Sequence, residues 1–551
     1  MLLSALMILA LVSEAQSLSG EDPISRFLVH ASHHLPQIES SLTDPNHLAV
    51  GTASLVAGSA VAYGAARGGR RAARKLSARP GDIEIGQRRQ SPMDCIIRPR
   101  IFSTFADRTR GTMVVGPPGS GKTTVLLSQA IQDLACRHNV IIQEIYGDFG
   151  RRIVPYALAM GVPVLYFDTS APEASLRWNP LRGGDDEEVV ERAVATVRGM
   201  WNHEYFGDFN ADFARNFLHL ARQYARARGV EANVELVKLL IEEDDLLHRV
   251  LRVRDIDGRP TATAPYLTRG LKTWFTTEYL RWTANIRLNY ASSFRIYMRD
   301  LLATKAARTM LCPAPGERVI DIAPILKMGG VLVVFRVPTR SVGAGPASVI
   351  SRWILKDIQD ATLARDGLGG PMPPCALYLD ELHTLLGAGR ADDAANVNWF
   401  TLIRKQNVAW TVSFQGWSLL TGSVAQTLDF SCGNQLFGGG MGAEDARKIQ
   451  QALGVQEKHH RTTSTSGGSG VLGPPARTTV STGTGMQSIP RFTIEEIRFL
   501  RRGNWLYIPT TRGNHRPGMK LYIPKPPTPQ QMATKRLSFS STHQRRQGSS
   551  T

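Results

Sequence analysis

Gly116-Pro-Pro-Gly-Ser-Gly-Lys-Thr-Thr124 sets small residues, one lysine and two hydroxyls at a spacing that suits phosphate. Glycines free backbone N–H groups to curl around phosphate oxygens, and a helix beginning at the lysine adds its positive dipole end. Gly116, Gly119, Ser120, Gly121, Lys122, Thr123 and Thr124 are therefore the expected binding residues for ATP. Lys122 would reach the β- and γ-phosphates and the Thr123 hydroxyl would ligate Mg²⁺. A second pair of functional side chains, Asp380 and Glu381, closes the apolar run Cys375-Ala-Leu-Tyr-Leu379. Asp380 suits the metal's water shell and Glu381 the polarisation of an attacking water, the chemistry of hydrolysis rather than of a kinase-type transfer. Gln415 ends the next apolar run, Val408–Phe414, where an amide can touch both the γ-phosphate and the lytic water. An ordinary strand-end hydrogen bond is its other reading. Arg404 and Lys405 stand just before that run. They suit the C-terminus of a helix over 398–404, and equally an arginine finger offered to a neighbouring subunit's ATP.

These groups work together only if the chain brings them to one edge. The phosphate motif lies between an apolar run, 111–115, and a helical one, 125–131. Further strand candidates are Thr112–Val115, Val140–Tyr146, Val162–Phe167, 330–335, 375–379, 408–414 and 434–437. Alternation of strands with helical stretches predicts an α/β fold with a parallel sheet, whose C-terminal edge carries both motifs. From 185 to 307 the chain is charged and glycine-poor, with apolar residues such as Phe213, Phe217, Leu220 and Ala221 at helical spacing. An all-α insertion is expected there. Residues 76–100 read as a polar linker, and the Thr-, Ser- and Gly-rich stretch 461–486 as a flexible loop. Segments 504–509 and 519–524 suggest a closing hairpin, and 525–551 a disordered tail.

A chain of 551 residues exceeds one core, so two or three folded units are expected. Lys and Arg total 65 against 47 Asp and Glu, a net charge of +18 that favours a polyanionic partner or a membrane surface. Five scattered cysteines show no metal or redox spacing and read as buried thiols in a reducing compartment. Leu48–Ala66 carries no charge over 19 residues and is followed by Arg67-Gly-Gly-Arg-Arg-Ala-Ala-Arg-Lys75. That is the pattern of a transmembrane helix with a cytoplasmic basic exit, and Ser54, Gly58 and Ala62 give it a small-residue packing face. Met1–Val12 is a shorter apolar segment, either a signal sequence cleaved near Ser13-Glu-Ala15 or the remnant of a first membrane helix. The expected organisation is a membrane anchor over 1–75, a nucleotide-binding domain in two parts (76–184 and 308–524), the insertion at 185–307, and the tail.

Taken in order, the membrane segment, the phosphate motif, Arg177-Trp-Asn-Pro-Leu181, the helical insertion, Tyr378-Leu-Asp-Glu-Leu-His383 and Ser413-Phe-Gln-Gly416 resemble the type IV coupling protein family. The resemblance covers roughly residues 45–525. It implies a RecA-like P-loop NTPase domain, a homo-hexameric ring at the bacterial inner membrane with its catalytic domain in the cytoplasm, and ATP with Mg²⁺. It further implies DNA (a relaxase-bound strand or duplex) or secreted proteins as cargo, type IV secretion channel components as partners, and Arg404 as the trans-acting arginine. The Asp-x-Lys-Gly-Glu stretch usual in that family is altered here to Gly147-Asp-Phe-Gly-Arg151, without the lysine. Two other readings stand beside it: a HerA- or FtsK-like DNA translocase, and a non-motor membrane receptor for which ATP is structural.

Overall fold

The computed structural model describes residues 82–90, 94, 99–198, 208–365, 367, 372–386, 390–466, 479–511 and 514–531. The expected membrane helix over 48–66, the segment 1–12 and most of the tail lie outside them. Among the described residues no helix is long and apolar enough to cross a membrane.

The strands in chain order are β1 (Ile83–Arg88), β2 (Arg100–Ser103), β3 (Thr112–Val115), β4 (Asn139–Glu144), β5 (Val164–Asp168), β6 (Val253–Ile256) and β7 (Arg259–Ala262). They continue with β8 (Leu332–Arg336), β9 (Cys375–Leu379), β10 (Val408–Phe414), β11 (Asn434–Phe437), β12 (Val455–Ser466) and β13 (Thr479–Pro490). Last come β14 (Asn504–Ile508), β15 (Thr510–Thr511), β16 (Asn514–His515) and β17 (Met519–Tyr522). Eleven of them form one sheet in the order β2-β1-β17-β14-β11-β3-β10-β9-β4-β8-β5. From β11 to β5 every pairing is parallel, and β14, β17, β1 and β2 extend that sheet antiparallel.

The parallel strands β3, β9 and β10 read TMVV, CALYL and VAWTVSF, and every residue in them is buried. Near-continuous apolar runs are what a parallel sheet covered on both faces requires. Helices α1 (Phe105–Arg108), α2 (Lys122–Ala135) and α3 (Phe149–Ala159) precede or connect its first parallel strands. One cluster of buried side chains joins Val125, Leu126, Ile131 and Ile153 to Val114, Ile142 and Tyr378. A second, larger cluster joins Met113, Leu377 and Val412 to Trp353 and on to Phe213, Phe217 and Leu220. Residues from 186–198 and 208–311 thus share a core with one face of the sheet.

Three expectations need correction. The linker read at 76–100 contributes β1 and the first residue of β2; Ile83 and Ile85 point one way and are buried, an alternation too short to stand out in the sequence. The insertion is not all helical, because β6 and β7 pair as a hairpin between its helices. The stretch read as a flexible loop at 461–486 is, in its described parts, a continuation of the long antiparallel hairpin β12–β13, in register from Val455↔Pro490 to Ser466↔Thr479. Threonine and valine stabilise extended backbone even where the composition looks like a loop.

The Arg177-Trp-Asn-Pro-Leu181 stretch is the joint by which the chain leaves the sheet. Trp178 is buried against Phe167, with ring centroids 6.4 Å apart, and donates from Nε1 to Asp357 at 3.0 Å. Asn179 donates to the Ala232 carbonyl at 2.8 Å and accepts from the Leu181 N–H at 3.0 Å.

Candidate active site

The loop between β3 and α2 turns on Gly119 and Gly121, at φ +80° and +101°, a region that strains any side chain. A Cβ at either would point into open space, so the cradle is free on its outer side. The Ser120 hydroxyl oxygen is buried without a hydrogen-bond partner among the described residues. An orphaned donor within a glycine loop at a helix start fits a phosphate group. Lys122, the first residue of α2, is buried and donates from Nζ to the Gly116 carbonyl at 2.8 Å. Thr123 and Thr124 follow it in the first helical turn, half-buried.

The edge of the sheet supplies the rest. Glu381 follows β9 in the left-handed region, φ 53° and ψ 55°, a conformation that costs a non-glycine residue energy and marks a constrained turn. The Glu381 carboxylate lies 3.4 Å from Lys122 Nζ. Gln415 Nε2 donates to Glu381 Oε2 at 3.2 Å, and His383 Nδ1 is 3.5 Å from that oxygen. Burial holds the His383 ring below the usual histidine value, which favours its neutral form. Lys122, Glu381 and Gln415, distant in the chain, therefore meet at one point.

Asp380 faces the same edge. Its Oδ1 accepts from the Ser413 hydroxyl and, at 3.1 Å, from the Glu381 N–H. Both bonds fall on one oxygen, and Oδ2 is directed toward Gly147, where an added Cβ would lie 3.9 Å away. Burial, aided by the charge of Glu381, pushes the Asp380 carboxyl up to about 6 against the Ser413 hydroxyl and Lys122. A buried carboxylate with one oxygen outside these two hydrogen bonds fits a hard divalent cation such as Mg²⁺. Among the described residues there is no cluster of three or more acidic, histidine or cysteine side chains that could hold a metal ion.

Three participants escape the motif reading. The strand register puts Ser413, Asp380, Glu144, Arg336 and Asp168 in one row across β10, β9, β4, β8 and the end of β5. Glu144 accepts from the Phe149 and Gly150 N–H groups at 3.0 and 3.1 Å and faces Arg336 Nε at 3.1 Å. Arg336 also donates to Asp168 at 2.9 Å and to the Gly147 carbonyl at 3.1 Å. Burial and then the neighbouring Asp380 push Glu144 up to about 8, against those N–H groups and the guanidinium. Sequence offered one signal for Glu144, an acid closing an apolar run as Asp380 does. Arg336 likewise ends an apolar run and Ser413 lies one residue inside the end of another, but nothing local says what they face.

Arg404 is placed elsewhere. It is exposed, with Lys405, in the short 3₁₀ turn Ile403–Gln406 that precedes β10. Gln415 follows the other end of that seven-residue strand, roughly 20 Å away at the rise of an extended chain. Arg404 does not join its own chain's Lys122 and Glu381.

No family model and no curated protein matches the sequence. Solved structures do. The bacterial conjugative coupling protein TrwBdeltaN70, in an unbound form, is similar at a TM-score of 0.51 and 16% identity, over 78% of this chain and 88% of that one. The plasmid coupling protein TrwB in complex with ADP and Mg²⁺ is similar at 0.52 and 16%, over 83% and 98%. TrwB in complex with the non-hydrolysable ATP analogue ADPNP is similar at 0.51 and 15%, over 82% and 97%. At these identities the likeness is one of fold: the phosphate loop and its carboxylates sit in a chain folded like a conjugative coupling protein.

Proposed function

We propose that this chain is the ATPase motor of a conjugative or type IV secretion apparatus, hydrolysing ATP to drive DNA, nucleoprotein or effector proteins into the secretion channel. The observation that carries the reading is the meeting of Lys122, Glu381 and Gln415 at 3.4 and 3.2 Å. A site that only stores nucleotide needs no carboxylate poised beside its phosphate lysine, which disfavours the non-motor receptor. Gly119, Ser120, Gly121 and Lys122 would cradle the phosphates, and Thr123 and Asp380 would hold Mg²⁺. The bound cation would offset phosphate charge and strengthen the leaving group. Glu381 withdraws a proton from the attacking water once nucleotide draws Lys122 away from it. Gln415, bonded to Glu381, reports whether a γ-phosphate is present. Arg404 serves a neighbouring subunit's site within a homo-hexamer, and Leu48–Ala66 anchors the assembly in the bacterial inner membrane with the catalytic part in the cytoplasm. The likeness to structures titled as conjugative coupling proteins supports the secretion setting over a HerA- or FtsK-like translocase.

The test is ATP hydrolysis by the full chain with and without DNA, beside fluorescent-nucleotide binding. Glu381→Gln is expected to lower turnover by about 100-fold or more, the usual contribution of a general base, while binding nucleotide normally. Lys122→Ala is expected to lose both. Equal turnover by wild type and Glu381→Gln would remove the motor reading. Hydrolysis indifferent to DNA would leave an ATPase and take DNA out of it.

A further inference from the structure

At the start of β11, the end of the sheet away from the phosphate loop, a cleft of about 410 Å³ opens beside the base of the β12–β13 hairpin. Its polar walls are Gln435, Arg491, His515 and Arg516, its apolar ones include Leu453 and Ile508, and no aspartate or glutamate lines it. Arg491 leaves β13 with its N–H bound to the Gly454 carbonyl at 3.0 Å, and Arg516 follows β16 with its N–H bound to the Pro509 carbonyl at 2.8 Å. Both backbones are therefore fixed. The Arg491 Nε is buried and has no hydrogen-bond partner among the described residues. His515 Nδ1 lies 3.4 Å from the Thr510 hydroxyl, an orientation that leaves Nε2 for another partner. Two arginines and a histidine around an open cleft, with a buried donor unsatisfied and no acidic residue in the described lining, make a site suited to an anion.

We infer that this cleft binds phosphate groups of a nucleic-acid backbone, with Arg491 and Arg516 as the principal contacts. Guanidinium forks match phosphate oxygens in pairs. The cleft is open, as a polymer passing over it requires, and the chain carries a net charge of +18, which draws such a polymer from a distance. The inference deepens the motor reading by naming where DNA is held, and it rests on that reading only for the purpose of the contact.

The experiment is fluorescence anisotropy of a labelled DNA oligonucleotide on the full chain, over a range of salt concentrations. Arg491→Gln, Arg516→Gln and the double variant are compared with Arg491→Lys. Each arginine lost is expected to reduce the log–log salt slope by about 1, hence to weaken binding about tenfold at about 0.1 M salt, whatever the DNA sequence. Arg491→Lys should keep most of the slope. Unchanged fluorescent-nucleotide affinity and melting temperature in the variants show that the fold and the Lys122 site are intact. Inorganic phosphate and ATP, added as competitors, should displace DNA only at concentrations far above that of the oligonucleotide; displacement by either at comparable concentration would make this a small-anion site and overturn the inference. A wild-type slope in the double variant, or displacement of DNA by poly-glutamate at equal charge, would also overturn it. DNA binding that depends on these arginines in a protein without ATP hydrolysis would sink the motor reading and leave the cleft assigned.

Discussion

Glu144 illustrates how little room a buried carboxyl has. Its folded value lies near 8, above the ordinary 4.5, so the folded chain keeps a proton that the unfolded chain has released. Stability contributed on that account is complete below about pH 4.5 and is lost as pH rises through about 8. Asp380, raised to about 6, has the same sign over a narrower window. Replacing Glu144 by glutamine should therefore remove its share of the decline in melting temperature between about pH 4.5 and 8, leaving the smaller share of Asp380 below about 6. A variant whose melting profile is parallel to wild type throughout would refute this assignment of the proton. The same residue shows where sequence reading stops. Lys122, Asp380, Glu381 and Gln415 were legible because each belongs to a short motif whose chemistry is local. Glu144 and Arg336 act through neighbours set by strand order, and no spacing in the chain announces that β4 lies between β9 and β8.

At the scale of elements, a buried network locks α2 to β9, the strand followed by Asp380 and Glu381. Asp133 of α2 is fully buried and accepts from both Arg108 guanidinium nitrogens, at 2.8 and 2.6 Å, from His138 at 2.8 Å, and from the Tyr378 hydroxyl of β9. The guanidinium overcomes the burial penalty and holds the Asp133 carboxyl well below the usual carboxylate range. Removing one partner strands the other in a dry interior. Arg108→Met is expected to cost about 3–5 kcal/mol and Tyr378→Phe about 1 kcal/mol, measured by urea unfolding at neutral pH. A cost for Arg108→Met below that for Tyr378→Phe would contradict the network. Most parallel strands could be read from the sequence because they are continuous apolar runs; β9, β10 and β11 coincide with their runs end to end. The elements that were missed are those whose pattern is short or disguised: β1 with two alternating isoleucines, the β6–β7 turn inside helical sequence, and a hairpin written largely in threonine, serine and glycine.

For the whole molecule, the decisive fact is that Arg404 stands at the opposite end of β10 from Gln415 and its partner Glu381. If the sites are shared around a ring, mixing Arg404→Ala subunits with Lys122→Ala subunits should restore activity that neither has alone. Random assembly at equal ratio gives about a quarter of sites both an intact lysine and an intact neighbouring arginine. Mixtures no more active than their parts would show that Arg404 does not act between subunits. The ring follows from a family resemblance rather than from any contact within one chain, which is why this experiment belongs to the assembly and not to a single residue.

Strand β1, one in from the β2 edge of the sheet, has a mechanical meaning. It is held on one side by β2 and on the other by β17, antiparallel to both, and it is the first strand among the described residues. In such a ladder the hydrogen bonds run across the strands. Tension entering through the chain before Ile83 pulls β1 along its own axis and loads those bonds in shear, so that they must yield together rather than peel one at a time. A chain tethered by its first residues and worked upon at the far side of its sheet would thus carry the recoil through a joint made by the beginning and the end of its fold, Gln87 beside Tyr522 and Arg88 beside Leu521.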